Sequence, residues 1–201
     1  MSSFSVRILR LIRGWRVFRL SFDFKILYQL DLEGLRALLH ASPVFHEPYL
    51  VDRKLLLHTC LESTLGSVTI DACAAFRTGS VEFANERTVQ TVTEFIQFYQ
   101  HRRSLTNISV QTEKFTKQEI VEIVTFYFSI IKPLAQICTN WAIGKLALET
   151  KSKQDGEPLS KPEETRLLRA LYRFQLCCNL FGVNHETSRG VGYDTLTFKT
   201  S

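Results

Sequence analysis

Cysteine, histidine and paired carboxylates are the side chains here that could do covalent or metal chemistry. The five cysteines are Cys60, Cys73, Cys138, Cys177 and Cys178. A thiolate beside a histidine base makes a nucleophile, and four Cys or His ligands make a zinc site. His58 and Cys60 are the nearest such pair, but side chains two apart on a helix do not face each other. No Cys-x-x-Cys or His-x₃-His spacing completes a metal site. Cys177 and Cys178 would project about 100° apart on a helix. The odd number argues against a disulfide framework and fits a reducing compartment, the cytoplasm or the nucleus. His40, His46, His101 and His185 are scattered through loops and helix ends. Glu163 and Glu164 are adjacent acids in a first helical turn, where they complement the helix dipole. Gly190-Val191-Gly192 is an isolated glycine pair without a phosphate-binding context. This reading assigns no catalytic residue, no metal and no cofactor, so the chain is expected not to be an enzyme.

Composition narrows the class further. The 201 residues are 45% hydrophobic and 22% charged, ordinary for a globular chain with a real core. The net charge of +5 is not spread evenly. Residues 1–22 carry Arg7, Arg10, Arg13, Arg16 and Arg19 and no acid, and from Asp23 onward bases and acids balance at twenty each. A nucleic-acid-binding protein needs a basic patch on its folded part, so that class is set aside. The Arg period of three spreads charge around a helix of 3.6 residues per turn and makes a poor polar face. The arm therefore reads as poorly packed, with mitochondrial or membrane-surface targeting as the alternative. The longest apolar stretch, near 120–148, is interrupted by Glu122, Lys132, Asn140 and Lys145, so no stable membrane insertion is expected.

The elements that must position any site are helices. Asp31 followed by Leu32, Leu35, Leu38 and Leu39 predicts a helix stopped by Pro43. A second is expected over 45–65, with Leu55, Leu56 and Cys60 facing inward and Gly66 as its stop. Shorter ones follow over 68–77 and 85–101, the latter with Val89, Val92, Ile96 and Tyr99 on one face. Thr116-Lys117-Gln118-Glu119 is a capping box opening the longest helix, to about 148. Its inward stripe is Ile120, Ile123, Val124, Tyr127, Ile131, Leu134, Cys138 and Trp141, and Pro133 should kink or split it. After a charged linker at 151–158, Ser160-Lys161-Pro162-Glu163 caps a last helix with Leu167, Leu168, Leu171, Phe174, Cys178 and Phe181 inward. Arg166, Arg169 and Arg173 form one stripe on it, a solvated face that could meet an acidic partner. Strand signals are scarce, and the expected fold is all-α, a compact array of packed helices.

One segment carries more. Residues 26–45 read Ile26-Leu27-Tyr28-Gln29-Leu30-Asp31-Leu32-Glu33-Gly34-Leu35-Arg36-Ala37-Leu38-Leu39-His40-Ala41-Ser42-Pro43-Val44-Phe45. This resembles the middle of an F-box: an Ile-Leu-x-x-Leu helix, a Leu-x-x-Leu repeat, a Ser-Pro turn and an aromatic residue. The later runs Arg169-Ala170-Leu171-Tyr172-Arg173-Phe174-Gln175-Leu176 and Asn179-Leu180-Phe181-Gly182 are similar to a stretch downstream of the box in fungal F-box-like proteins. Leu20-Ser21-Phe22-Asp23 stands where the family opens with Leu-Pro-x-Glu, and the chain ends sooner than those proteins do. The resemblance implies a non-catalytic adaptor that recruits a substrate to a cullin-type ubiquitin ligase through a Skp-type linker subunit. It implies a linker-facing set of Ile26, Leu27, Leu30, Leu32, Leu35, Leu38, Pro43 and Phe45. From spacing alone the same residues read as the core of a helical hairpin. A helical scaffold that has lost linker binding is the alternative. The organisation expected is a basic arm (1–22), a degenerate F-box-like module (23–65), a helical domain (66–182) and a loose tail (183–201).

Overall fold

Asp31 stands just before an apolar run of helical period, and its carboxylate accepts the Gly34 N–H at 2.7 Å. That bond satisfies one orphan donor at the start of α1 (Leu32–Ala41). The computed structural model describes residues 25–105, 115–150 and 159–182. The anticipated arm, linker and tail lie outside the described residues. Among the described residues the chain is all-α, as its patterning predicts, with no strand.

The single helix expected over 45–65 is two. Pro43 opens a 3₁₀ turn (Pro43–Phe45) that leads into α2 (His46–Val51), and α3 (Arg53–Leu65) follows. The break falls at Asp52, whose φ of −123° and ψ of 30° are not helical. Its carboxylate accepts the Tyr28 hydroxyl instead of continuing the helix, as aspartates with a local side-chain partner do. Leu56 and Cys60 are buried as the spacing predicts, but Leu55 is 44% exposed. Gly66 then takes φ +52°, a conformation that favours glycine, and ends α3.

The chain continues through α4 (Thr69–Thr78), α5 (Val81–Asn85, capped by Ser80) and α6 (Val89–Ser104). The helix expected over 85–101 thus begins later, because Thr88 and Thr91 form its capping box. Val89, in its first turn, is exposed, while Val92 is buried and Ile96 and Tyr99 pack against the core. The box at 116–119 is also present: Thr116 N–H donates to Glu119 at 2.5 Å and Glu119 N–H donates to Thr116 at 3.2 Å. It opens α7 (Lys117–Phe126).

The interruption that Pro133 predicts in the long helix falls just before it rather than at its own position. A π turn (Tyr127–Ile131) precedes it, in which Lys132 N–H reaches back five residues to the Tyr127 carbonyl. In α register the proline ring would meet the carbonyl four residues before it, and one wide turn relieves that clash. The helix runs on as α8 (Lys132–Thr150). By length and composition only, the helix Lys117–Lys145 contains an 18-residue window apolar enough to cross a membrane, with a mean hydropathy of 1.5. Glu122, Lys132 and Lys145 do lie along the stretch as expected, but that window holds no more than two charged residues, so they do not interrupt all of it. The first half of this stretch is core, including Ile120, Ile123, Val124, Tyr127 and Ile131. Trp141, expected inward, is 67% exposed, and Leu134 is exposed as well.

The last helix, α9 (Lys161–Phe181), keeps its capping box at Ser160 and Glu163. Its buried face differs from the expected one. Leu168, Tyr172, Leu176 and Leu180 are buried at i, i+4, i+8 and i+12, while Phe174, Cys178 and Phe181 are exposed. Helix α9 packs chiefly on α4, and α7 packs on α3. Buried side chains on both sides of the boundary expected after Leu65 belong to one core, from Leu27 to Leu180.

Candidate functional site

The N-terminal helices sort the eight linker-facing candidates into two sets. Leu27, Leu32 and Leu35 are at most 2% exposed and lie in the chain's own core. The reason is local: the Leu32 N–H donates to Thr64 Oγ1 at 2.8 Å, and the Cys60 thiol donates to the Leu27 carbonyl at 3.7 Å. These bonds fix the start of α1 on α3. As linker-facing residues these three are corrected, since a partner cannot touch a side chain sealed beneath its own helix. Ile26, Leu30, Leu38 and Phe45 are half-buried, and Pro43 is exposed.

Apolar side chains outside that set open outward instead. Val44, Leu50, Val51 and Leu55 are 45%, 57%, 75% and 44% exposed. They lie on the 3₁₀ turn, α2 and the start of α3, consecutive elements that the break at Asp52 sets apart from the core stripe. A single helix over 45–65 hides this, which is why sequence reasoning missed them. A notch of about 180 Å³ is lined by Leu35 and Leu39 of α1, Tyr49 of α2 and Phe128. Arg36 stacks over Phe128 at 5.1 Å there.

A second cluster centres on Asp71, which spacing did not single out. It sits in the first turn of α4 and is 1% exposed. The Tyr99 hydroxyl and the Arg173 Nε (3.3 Å) donate to its Oδ1. Arg103 Nε lies 3.8 Å from the same oxygen, and Arg169 Nε lies 3.7 Å from Oδ2. Arg169 also donates from Nη2 to Ser67 Oγ at 2.7 Å, and the Arg103 guanidinium stacks on the Tyr99 ring at 5.6 Å. Burial, and then the hydrogen bond and charge of Asp71, push the Tyr99 hydroxyl up to about 12. Of the stripe expected on the last helix, Arg169 and Arg173 therefore turn toward a buried carboxylate and are not a freely solvated face. Arg166 is exposed. The signal for Asp71 was a lone acid in the otherwise uncharged run 68–76.

A groove of about 730 Å³ lies where the end of α4 meets α5, α7 and α9. Phe76, Val121, Phe126 and Ile130 line it. Asn179 closes one side, donating to the Ala75 carbonyl at 2.8 Å and accepting from Gln175 at 2.8 Å.

The residues first weighed for chemistry do not converge. The thiol of Cys60 points to the Leu27 carbonyl, while His58 lies 3.6 Å from Glu62 on the next turn. Among the described residues no group of three His, Cys, Asp or Glu side chains could hold a metal ion. Burial, with the Asp31 charge second, pushes the Cys60 thiol up to about 12. At pH 8 it stays protonated and shielded, whereas Cys177 and Cys178 are exposed. Iodoacetamide followed by peptide mass spectrometry should label Cys177 and Cys178 within minutes and Cys60 and Cys73 only after urea. Equal labelling of all four in the native protein would contradict this packing.

No family model matches the chain, and no curated protein or solved structure matches it.

Proposed function

We propose that the chain is a non-catalytic protein-interaction module, an F-box-like adaptor whose N-terminal face docks a Skp-type linker subunit of a cullin ubiquitin ligase. The observation that carries this reading is the outward apolar set Pro43, Val44, Leu50, Val51 and Leu55, which begins inside the segment resembling the box. An interface needs a desolvated apolar centre, and these side chains supply it, with half-buried Leu38 and Phe45 beside them in the chain. Leu27, Leu32 and Leu35 act beneath that face, fixing α1 on α3. The cytoplasm or nucleus is the compartment this role requires.

The test is co-purification of the full chain with a Skp-type linker, followed by titration. Val44→Asp combined with Val51→Asp should weaken the complex at least tenfold, about 1.4 kcal/mol or more. Circular dichroism should be unchanged, because both side chains are exposed. Failure of the unmodified chain to form a complex, or equal binding by the double variant, sinks the linker assignment.

A second reading is favoured by the burial of Leu27, Leu32 and Leu35 in the chain's own core. With three of eight family positions closed off, the same outward face would serve a helical scaffold that binds another protein. A folded chain with no affinity for any linker subunit is the result that selects it.

A further inference from the structure

The cluster around Asp71 holds more positive charge than its own pairing requires. Three guanidiniums from two helices, Arg103 on α6 and Arg169 and Arg173 on α9, converge on one carboxylate. The local balance is two positive charges in excess. Arg173 donates to Asp71 from Nε at 3.3 Å, while Arg103 and Arg169 bring Nε to 3.8 and 3.7 Å, outside hydrogen-bond distance, so the one carboxylate does not saturate their donors. The three side chains remain 39%, 30% and 39% exposed, while Asp71 beneath them is sealed at 1%. Asp71 thus works as a buried anchor that holds the guanidiniums in one place before any ligand arrives. Tyr99 stiffens the arrangement, bonding Asp71 with its hydroxyl and stacking under Arg103 with its ring. Ser67 fixes Arg169 from the other side.

From this geometry we propose that Arg103, Arg169 and Arg173 form a binding site for a phosphate monoester. The charge matches: a phosphate monoester carries about −1.5 to −2 at pH 7. Guanidinium groups bind phosphate oxygens with paired N–H donors, and holding several in advance removes ordering cost from the binding step. Arg166, exposed one turn earlier on α9, extends the positive face toward flanking acidic groups. A phosphorylated side chain on a protein and a free small phosphate share this chemistry. The site lies on α4, α6 and α9, none of which carries Val44 or Val51, and the proposal stands whether or not a linker subunit docks there.

The experiment is calorimetric titration of the full chain, in low-salt buffer at pH 7.5, with three probes: a phosphoserine peptide, the same peptide with serine, and inorganic phosphate. The phosphopeptide should saturate and bind at least tenfold more tightly than the serine peptide. Arg103→Gln and Arg173→Gln should each lose at least tenfold, while Lys117→Gln, on the exposed start of α7, should bind as the unmodified chain does. Arg103 Nε lies 3.8 Å from Asp71, outside hydrogen-bond distance, whereas Arg173 bonds it at 3.3 Å, so the Arg103 variant keeps the test valid if Arg173→Gln fails to fold. Competition by inorganic phosphate at matching affinity assigns the site to free phosphate, and phosphopeptide binding that resists it assigns the site to a protein-borne group. No saturation with either phosphate probe overturns the proposal. So does an equal loss in Lys117→Gln, which would reduce the effect to general attraction by a basic chain.

Discussion

Asp71→Ala should lower the unfolding free energy by about 3 kcal/mol, the low end of what removing one partner of a buried ion pair costs. The carboxylate is fully enclosed and faces three guanidiniums and a tyrosine hydroxyl. Without it Arg103, Arg169 and Arg173 repel one another across the gap, and the Tyr99 hydroxyl loses its acceptor. The arginines are about a third exposed and can turn into water, which keeps the loss away from the upper end of the range. Asp71→Asn retains the shape and an acceptor for Tyr99, so it should cost less and isolates the charge. Urea denaturation of the three proteins, followed by circular dichroism, measures both steps. If Asp71→Ala loses under about 1 kcal/mol, the cluster is no more than a loose surface network.

Leu35→Ala should be comparably damaging, at about 2–5 kcal/mol, the range for truncating a fully buried leucine. Leu35 is 2% exposed in α1 and lines the wall shared with Leu57 and Val124. Its loss removes apolar burial and leaves a void that α1, α3 and α7 cannot close without moving together. Val51→Ala, at 75% exposure, should change stability by no more than about 0.5 kcal/mol. The contrast matters for function. A variant at Leu27, Leu32 or Leu35 that loses a partner reports unfolding, whereas one at Val44 or Val51 reports the interface. A Leu35→Ala protein that melts with the unmodified chain would mean that α1 is detached in solution and its leucines free.

Helix type and caps were legible because they are local. Asp31, Thr116 with Glu119, and Ser160 with Glu163 each bond a backbone N–H within three residues, so sequence order alone carries the information. The break at Asp52 was not legible, because what satisfies Asp52 is Tyr28, twenty-four residues earlier. The buried face of α9 was misjudged for a related reason. Phe174 and Phe181 are apolar and fit a helical stripe, but the face buried where α9 packs on α4 runs through Leu168, Tyr172 and Leu176. Spacing found Arg169, Arg173 and the inward position of Tyr99, and missed Asp71 and Arg103. Arg103 and Asp71 join it only because α6 and α4 are brought beside α9 by the fold.

The π turn at Tyr127–Ile131 amounts to a phase slip in the longest helix. One extra residue in a turn rotates everything after it by about 100° relative to everything before. Upstream, the stripe through Ile120, Val124 and Tyr127 points to the core and closes at Ile131. Downstream, the positions that would continue that stripe, Leu134 and Trp141, have been dialled outward. Ala135, Thr139 and Ile143 sit half-buried instead, with Cys138 of the old stripe still beside them. The helix therefore behaves as two rods keyed together out of step, one owned by the core and one holding Ile137 and Trp141 to the outside. Deleting a single residue between Tyr127 and Ile131 would bring the rods back into step and swing the tryptophan toward the interior, so one backbone hydrogen bond decides which way an apolar helix face looks.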